Sequence, residues 1–383
     1  MKVLGLILEL NPFHNGHLYF IEKAKELVSP DITVAIISTN FSMRGDIHTT
    51  DKFTKTELLL KNKVDVVLEL PFLGAVASAD YFSYNSVKTL LDFNITDLAF
   101  GTEANSLDEL NDLRLINKNP EYDKLVKNFL DQGFSYSTST VKAISILTND
   151  PNKALQFSLP NNTLGIQYLN ALEKLNSNIN VHIVKRIENN HYDTIADKKI
   201  ASATSIRELL YKNKAVEEFI PENCKTNYIN LKTAENNLYK IFQYALITSK
   251  NELTKYLGVN EGIENRLLSF INEKDLDTFI KKVETKRYTK SYIKRLILHI
   301  VLKATKDFSP QYHNHIRVLG MNTNGKNYIS TFNKDKKSKI ITSFKNRDEY
   351  NINYELSASR LYSIITNQNE LYLNEFKIPI IGE

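Results

Sequence analysis

The 383-residue sequence predicts an α/β fold: a Rossmann-like domain with a parallel sheet, then a helical domain, then a small C-terminal α/β segment. Three observations carry this. Short continuous apolar runs alternate with helical periodicity through the first hundred residues, the pattern of strands buried on both faces and joined by crossover helices. Past Pro221 the strand signal fades, and residues 226–306 are helical in pattern. A further α/β pattern begins near Ile316. The corresponding domains are expected at 1–215, 216–310 and 311–383.

The elements follow in order. Val3-Leu4-Gly5-Leu6-Ile7-Leu8 is apolar without alternation and is followed at once by turn residues, so it is expected as a central strand. Leu18, Phe20, Ile21, Ala24 and Leu27 recur at helical spacing, with Glu22, Lys23, Lys25 and Glu26 opposite, which predicts a helix beginning near His17. A strand is expected over 32–37, a helix over 52–61, a strand over 64–70 ending at Pro71, a helix over 79–91 and a strand over 97–101. Residues 105–178 are mostly helical in pattern, broken at Gly133 and at Asp150-Pro151. Ile179, Val181 and Ile183 alternate with Asn180 and His182, the mark of a fifth strand, which leads into Lys185-Arg186. Residues 200–207 read as a loop entering a short helix, with Ser202, Thr204 or Ser205 as N-cap.

Composition bounds the class. The length suits two or three domains, and 42% hydrophobic residues suffice to build their cores. A formal charge of +5 is too small to identify a nucleic-acid partner by itself, so the placement of charge matters more. The single cysteine, Cys224, has no partner for a disulfide or a zinc site, which fits a reducing cytoplasm. The first apolar run has no basic flank and is interrupted by Glu9, unlike a signal peptide, and no segment approaches the roughly 20 apolar residues of a membrane helix. A soluble, cytoplasmic protein is expected.

The stretch richest in chemistry is Asn11-Pro12-Phe13-His14-Asn15-Gly16-His17. It lies between the end of a buried strand and the start of a helix, where free N–H groups and the helix dipole favour an anion such as phosphate. Gly16 lets the backbone approach a ligand, Pro12 stiffens the entry, and His14 and His17 can both donate to phosphate oxygens. They would do so better when protonated, and a bound polyanion would raise their pKa values. Right-handed crossovers bring the ends of the first and fourth strands to one crevice, where Gly101 borders the ligand or serves only as a turn. Arg186 is a phosphate candidate or a solvated cation.

Residues 281–295 hold seven Lys/Arg against one acid, with Tyr288 and Tyr292 interleaved. This is either a nucleic-acid face or a solvated helix face. Lys286, Arg287, Lys290 and Lys294 are its candidate contacts. A second run, residues 334–339, reads equally well as a solvated loop.

At these residues the chain resembles a known family. His14-Asn15-Gly16-His17 is similar to the HxGH signature of the nucleotidylyltransferase superfamily, and Glu9 through His17 resembles the amino terminus of the bacterial tRNA(Met) cytidine acetate ligases. Further matches fall in order at Phe41-Ser42-Met43-Arg44-Gly45-Asp46, Leu68-Glu69-Leu70-Pro71, Phe100-Gly101-Thr102-Glu103, Pro160 through Gly165, Lys185-Arg186, Ala203 through Arg207 and Thr285 through Thr289. Two departures are Leu10 and Asp46, where the family more often has Tyr and Glu.

The resemblance implies His14 and His17 as catalytic residues. It also implies an ATP site of Ile7, Leu8, Glu9, Leu10, Asn11, Pro12, Phe13, His14, Asn15, Gly16, His17, Gly101, Asn161, Asn162, Arg186 and Ser205. Acetate would attack ATP to give acetyl-adenylate, and the wobble cytidine of elongator tRNA(Met) would take the acetyl group. Magnesium is a candidate phosphate counter-ion, but no carboxylate cluster identifies ligands for it, so no metal residue is assigned. No protein partner and no membrane are implied. The competing classes are an adenylyltransferase for a small phosphorylated metabolite and a non-catalytic RNA-binding protein. The basic helices weigh against the former and the two histidines against the latter.

Overall fold

The first strand, β1 (Val3–Leu8), is the axis of the sheet, and all but one of its residues are buried. It pairs in parallel with β2 (Ile32–Ile37) on one side and β4 (Asp97–Thr102) on the other. β2 continues to β3 (Val66–Glu69), and β4 to β5 (Asn180–Lys185), again in parallel. The strand order 3-2-1-4-5 therefore reverses direction of travel between β1 and β4, which opens a crevice at their carboxyl ends. A computed structural model of the chain describes residues 1–186, 194–195, 198–260, 262–307, 315–335, 339–345 and 353–382. Of the second basic run, Lys336, Lys337 and Ser338 lie outside them.

The crossover helices are α1 (Asn15–Val28), α2 (Lys52–Lys61) and α4 (Ala79–Asp92), the last preceded by a single turn, α3 (Phe72–Ala75). Between β4 and β5 come α5 (Leu107–Ile116), α6 (Tyr122–Asp131), α7 (Tyr136–Thr148), α8 (Pro151–Ser158) and α9 (Pro160–Lys174). The breaks at Gly133 and Asp150-Pro151 fall where expected, because Gly133 takes φ +84° and Pro151 opens α8 behind the cap of Asp150. α1, α2 and the short α10 (Ala203–Tyr211) cover one face of the sheet, where Ile21, Ala24, Leu59 and Ile206 are buried. α4, α5 and α9 cover the other, with Phe82, Leu90, Leu110 and Ile166.

The helices α11 (Leu231–Thr248), α12 (Ile263–Ser269), α13 (Leu276–Val283) and α14 (Lys290–Val301) form a third layer with α16 (Asn353–Ile365). Its core is continuous with Phe41, Ile47, Phe72, Leu73 and Val76, which follow β2 and β3. The layer therefore sits at the carboxyl ends of the strands, beside the crevice. Each Leu, Ile or Phe buried there contributes about 1.5–3 kcal/mol. Specific polar contacts add direction: the Tyr362 hydroxyl donates to the His48 carbonyl at 2.9 Å, and His299 Nε2 meets the Val76 carbonyl at 2.9 Å.

The C-terminal segment contributes β8 (Ile316–Met321), which pairs antiparallel with β3 at the edge of the same sheet. β9 (Ile340–Ile341) and β10 (Ile380–Ile381) pair with β8 in parallel, and α15 (Thr323–Ser330) packs nearby. A buried ion network ties this segment down. Lys52 Nζ lies 2.7 Å from Glu69 and 2.6 Å from Glu375, and Arg317 lies 3.7 Å from Glu375. Burial alone would lower the Lys52 pKa, but Glu375 and Glu69 outweigh it and raise it. A short hairpin, β6 (Thr194–Ile195) with β7 (Lys198–Lys199), precedes α10.

Candidate active site

The crevice holds a cavity of about 340 Å³, walled by the ends of β1, β4 and β5, the start of α1, the start of α10, and the loop after β2. His14 is the N-cap of α1, an unusual residue in that role, and its backbone is extended (φ −148°). Its Nδ1 accepts from the Gly16 N–H at 3.1 Å, while the His14 N–H donates to His17 Nδ1 at 3.3 Å. The two side chains thus satisfy helix-start donors that Ser or Asp would otherwise take. The rings lie against each other, centroids 3.8 Å apart and tilted by 36°.

This bonding decides the tautomers. Both Nδ1 atoms are acceptors, so each neutral ring carries its proton on Nε2 and presents one N–H on the side away from the helix backbone. Burial, then the positive charges of Arg186 and Arg207, lower the His14 pKa to about 3. Burial, then His14 and Arg186, hold His17 well below its usual value. The sequence suggested protonated donors. Burial first, and neighbouring positive charge second, disfavour the imidazolium form of both rings, and a bound polyanion would act in the opposite direction.

Ile7, Leu8, Glu9, Leu10, Asn11, His14, Gly16, His17, Gly101, Asn161 and Arg186 all line the cavity. Five of the candidates do not line it. Pro12 is buried in the turn, and Phe13 packs into the core under α1. The Asn15 amide donates to the Glu218 carbonyl at 3.1 Å. Asn162 is fully buried, and its Oδ1 accepts the Glu103 and Ala104 N–H groups at 3.0 and 2.9 Å, which pins the turn after β4. Ser205 donates its N–H to the N-cap, Ser202, at 3.1 Å, and Ser202 and Thr204 rather than Ser205 line the cavity at this helix start.

Arg186 is held by a relay that periodicity could not reveal. Glu103 accepts the Asn161 amide at 2.5 Å, and Asn161 Oδ1 accepts Arg186 Nη1 at 2.9 Å. Gly101 lies beneath that arginine, since a Cβ there would stand 3.5 Å from Arg186 Cγ. Arg207 was not singled out from the sequence, although it closes the matched string Ala203 through Arg207. Its Nη1 donates to the Asn11 carbonyl at 2.8 Å and its Nη2 to Thr204 Oγ1 at 3.2 Å, which joins the start of α10 to the histidine loop.

The loop after β2 supplies Ser42, Met43, Arg44 and Asp46 to the cavity. Gly45 takes φ +78°, and a Cβ there would fall 2.7 Å from the backbone of Lys294 and Arg295. Only glycine permits this approach of α14 to the loop. Lys294 Nζ pairs with Asp46 at 2.5 Å, so this lysine faces the cavity loop rather than solvent. Lys286, Arg287 and Lys290 are exposed around Tyr288 and Tyr292, whose rings stack at 5.9 Å with 13° between planes. Among the described residues no group of three His, Cys, Asp or Glu side chains could hold a metal, and no helix is long and apolar enough to cross a membrane.

Comparison with known proteins gives three results. The HIGH Nucleotidyl Transferase family model matches residues 1–375. Curated proteins named tRNA(Met) cytidine acetate ligase are similar along the whole chain. That of Lysinibacillus sphaericus is 33% identical, with 96% of each chain covered, and that of Staphylococcus aureus is 33% identical, with 100% of each covered. The solved structure of Thermotoga maritima TmcAL without ligand superposes with a TM-score of 0.87 at 29% identity, covering 100% of this chain and 99% of that one. The form of the same protein bound with alpha-thio ATP gives 0.85 at 28% identity, with the same coverage.

Proposed function

We infer the function from one premise: the chain belongs to the HIGH Nucleotidyl Transferase family and, within it, to the tRNA(Met) cytidine acetate ligases. It is an ATP-dependent ligase. Acetate attacks the α-phosphorus of ATP, pyrophosphate leaves, and the resulting acetyl-adenylate gives its acetyl group to N4 of the wobble cytidine of elongator tRNA(Met). The observation that carries this reading is the pair of Nε2–H donors on His14 and His17 at a cavity walled by two helix starts and three arginines, Arg44, Arg186 and Arg207.

Each part has a physical task. As the bond from the α-phosphorus to the leaving oxygen breaks, negative charge grows on pyrophosphate. The histidine N–H groups, the positive ends of the α1 and α10 dipoles, and Arg186 and Arg207 receive it. Because these donors are fixed by caps and by the Glu103–Asn161 relay, little reorganisation accompanies the charge shift. Magnesium arriving with ATP would be held by the phosphates, and no step depends on a protein ligand for it.

The test is incubation of the protein with ATP, radiolabelled acetate and total bacterial tRNA, followed by nucleoside analysis. Label is expected in N4-acetylcytidine and only when ATP is present. Labelled adenylate with unlabelled nucleosides would show acetate activation without transfer and reject the tRNA step, and no label at all would reject the reading.

Lys286, Arg287 and Lys290 are proposed to meet the tRNA backbone. Lys294 is set apart by its bond to Asp46. Neutralising the exposed three together is expected to make the plot of log affinity against log salt shallower by about 2–3, since each lost phosphate contact removes about 0.7–0.9. Filter binding with tRNA over a salt series measures it. An unaltered slope would make this a solvated face.

A further inference from the structure

The cavity has a second end. Ile7, Met43, Phe82, Phe100, Leu164 and Tyr168 line it and belong to the core on the α4–α9 face of the sheet, opposite the face that α1 and α10 cover. Gly165 permits α9 to close on this lobe, because a Cβ there would come 2.8 Å from the Phe100 ring. Phe100 and Tyr168 stand with centroids 5.2 Å apart. Phosphates have no partner in such surroundings, whereas a flat heteroaromatic ring does.

One carboxylate stands where the lobe meets the histidine end. Glu9 Oε1 accepts the Met43 N–H at 2.7 Å and the Ser38 hydroxyl at 3.3 Å, and Oε2 makes no hydrogen bond among the described residues. Its charge reaches Tyr168, whose hydroxyl pKa burial raises first and Glu9 raises further. An ionised carboxylate is acceptor-only, so it selects a group that presents N–H and repels one that presents a carbonyl.

We propose that this lobe is the pocket for the flipped-out cytosine of the tRNA, with Glu9 Oε2 accepting the exocyclic N4–H of the base. The inference rests on the ligase function above. Cytosine offers an N4 amine where uracil offers O4, and enzymes that act on a base commonly stack it between apolar or aromatic walls while reading its Watson–Crick edge. Glu9 lies at the end of β1, two residues before Asn11 and the histidine loop, so the amine it holds is presented toward the adenylate. In the transfer step N4 attacks the acetyl carbonyl carbon and the new C–N bond forms. The bond from that carbon to the phosphate oxygen breaks with its electron pair, which leaves with AMP, and the N4 proton passes to Glu9.

The test separates the two half-reactions in the full-length protein. Acetate-dependent ATP–pyrophosphate exchange reports adenylate formation, and single-turnover acetylation of tRNA(Met) reports transfer. Competition by a tRNA carrying uridine at the wobble position reports base selection. Glu9→Gln is expected to slow transfer by about 10²-fold or more, at least tenfold beyond whatever loss in exchange its place in the ATP cavity brings, and to lose the preference for cytidine over uridine. Met43→Phe, which narrows the lobe while keeping the backbone N–H that Glu9 accepts, is expected to weaken tRNA use more than acetate activation. Transfer by Glu9→Gln within threefold of the parent, or an equal loss in both half-reactions, would overturn the pocket while leaving the ligase function standing. Failure of the parent in both assays would overturn the ligase function and this proposal with it.

Discussion

His14→Ala and His17→Ala are each expected to slow acetate-dependent ATP–pyrophosphate exchange by about 10²–10³, the usual cost of removing one fixed donor from a developing oxyanion. Each variant loses the Nε2–H that the ring presents to the cavity. His14 has a second task as the cap of α1, and its loss alone is expected to cost about 0.5–2 kcal/mol of stability. His14→Asn separates the two roles. Asparagine caps a helix well but cannot place a donor where imidazole Nε2 lies, so stability should return while exchange stays slow. Denaturant melts by circular dichroism and exchange assays on the three variants give the comparison. Exchange at the parent rate in His14→Asn would leave His14 a cap and remove it from the chemistry.

Lys52→Met is expected to lower the unfolding free energy by about 3–5 kcal/mol, the penalty for stranding a buried charge. Lys52, Glu69 and Glu375 have side-chain exposures of 1%, 2% and 0%. Without the ammonium, Glu69 and Glu375 must stay ionised without its compensation or take up protons. Burial already raises the folded pKa of Glu69, and losing the Lys52 charge raises it further above the unfolded carboxylate value. Stabilisation from such groups is fully present below the unfolded pKa and is lost as pH rises through the folded pKa. The deficit of Lys52→Met should therefore be largest near pH 8 and shrink toward pH 5, which urea melts at several pH values would follow. A deficit below about 1 kcal/mol, or one independent of pH, would show that the network contributes little beyond its packing.

The strands and helices of the first hundred residues were legible because their signals are local. A continuous apolar run of six residues and an apolar stripe at helical spacing each fit one local structure, so 52–61 and the start of the strand at 97 fall where the pattern places them. The Gly and Pro breaks between 105 and 178 are backbone constraints and equally local. The site was legible as far as one loop carried it. A strand end, a glycine, two histidines and a helix start are contiguous, and proximity in sequence made them proximate in space.

Partners brought together by packing were not legible. Asn162 looked like its neighbour Asn161, yet only the turn of α9 decides that one amide meets Arg186 while the other is buried against the turn after β4. Lys294 sits in a basic run like its neighbours, but the Gly45 turn delivers it to Asp46, 248 residues away in sequence. Lys52 and Glu375 likewise meet only because β8 joins the edge of the main sheet. Sequence periodicity determined which residues form strands and helices and which loop carries the imidazoles. Tertiary structure alone decided the charge state and tautomer of those imidazoles, which cations face the cavity, and which side chains wall its apolar end. The physical reason is that dihedral preferences and amphipathic spacing act over a few residues, whereas desolvation and ion pairing depend on what the folded chain places within a few ångströms.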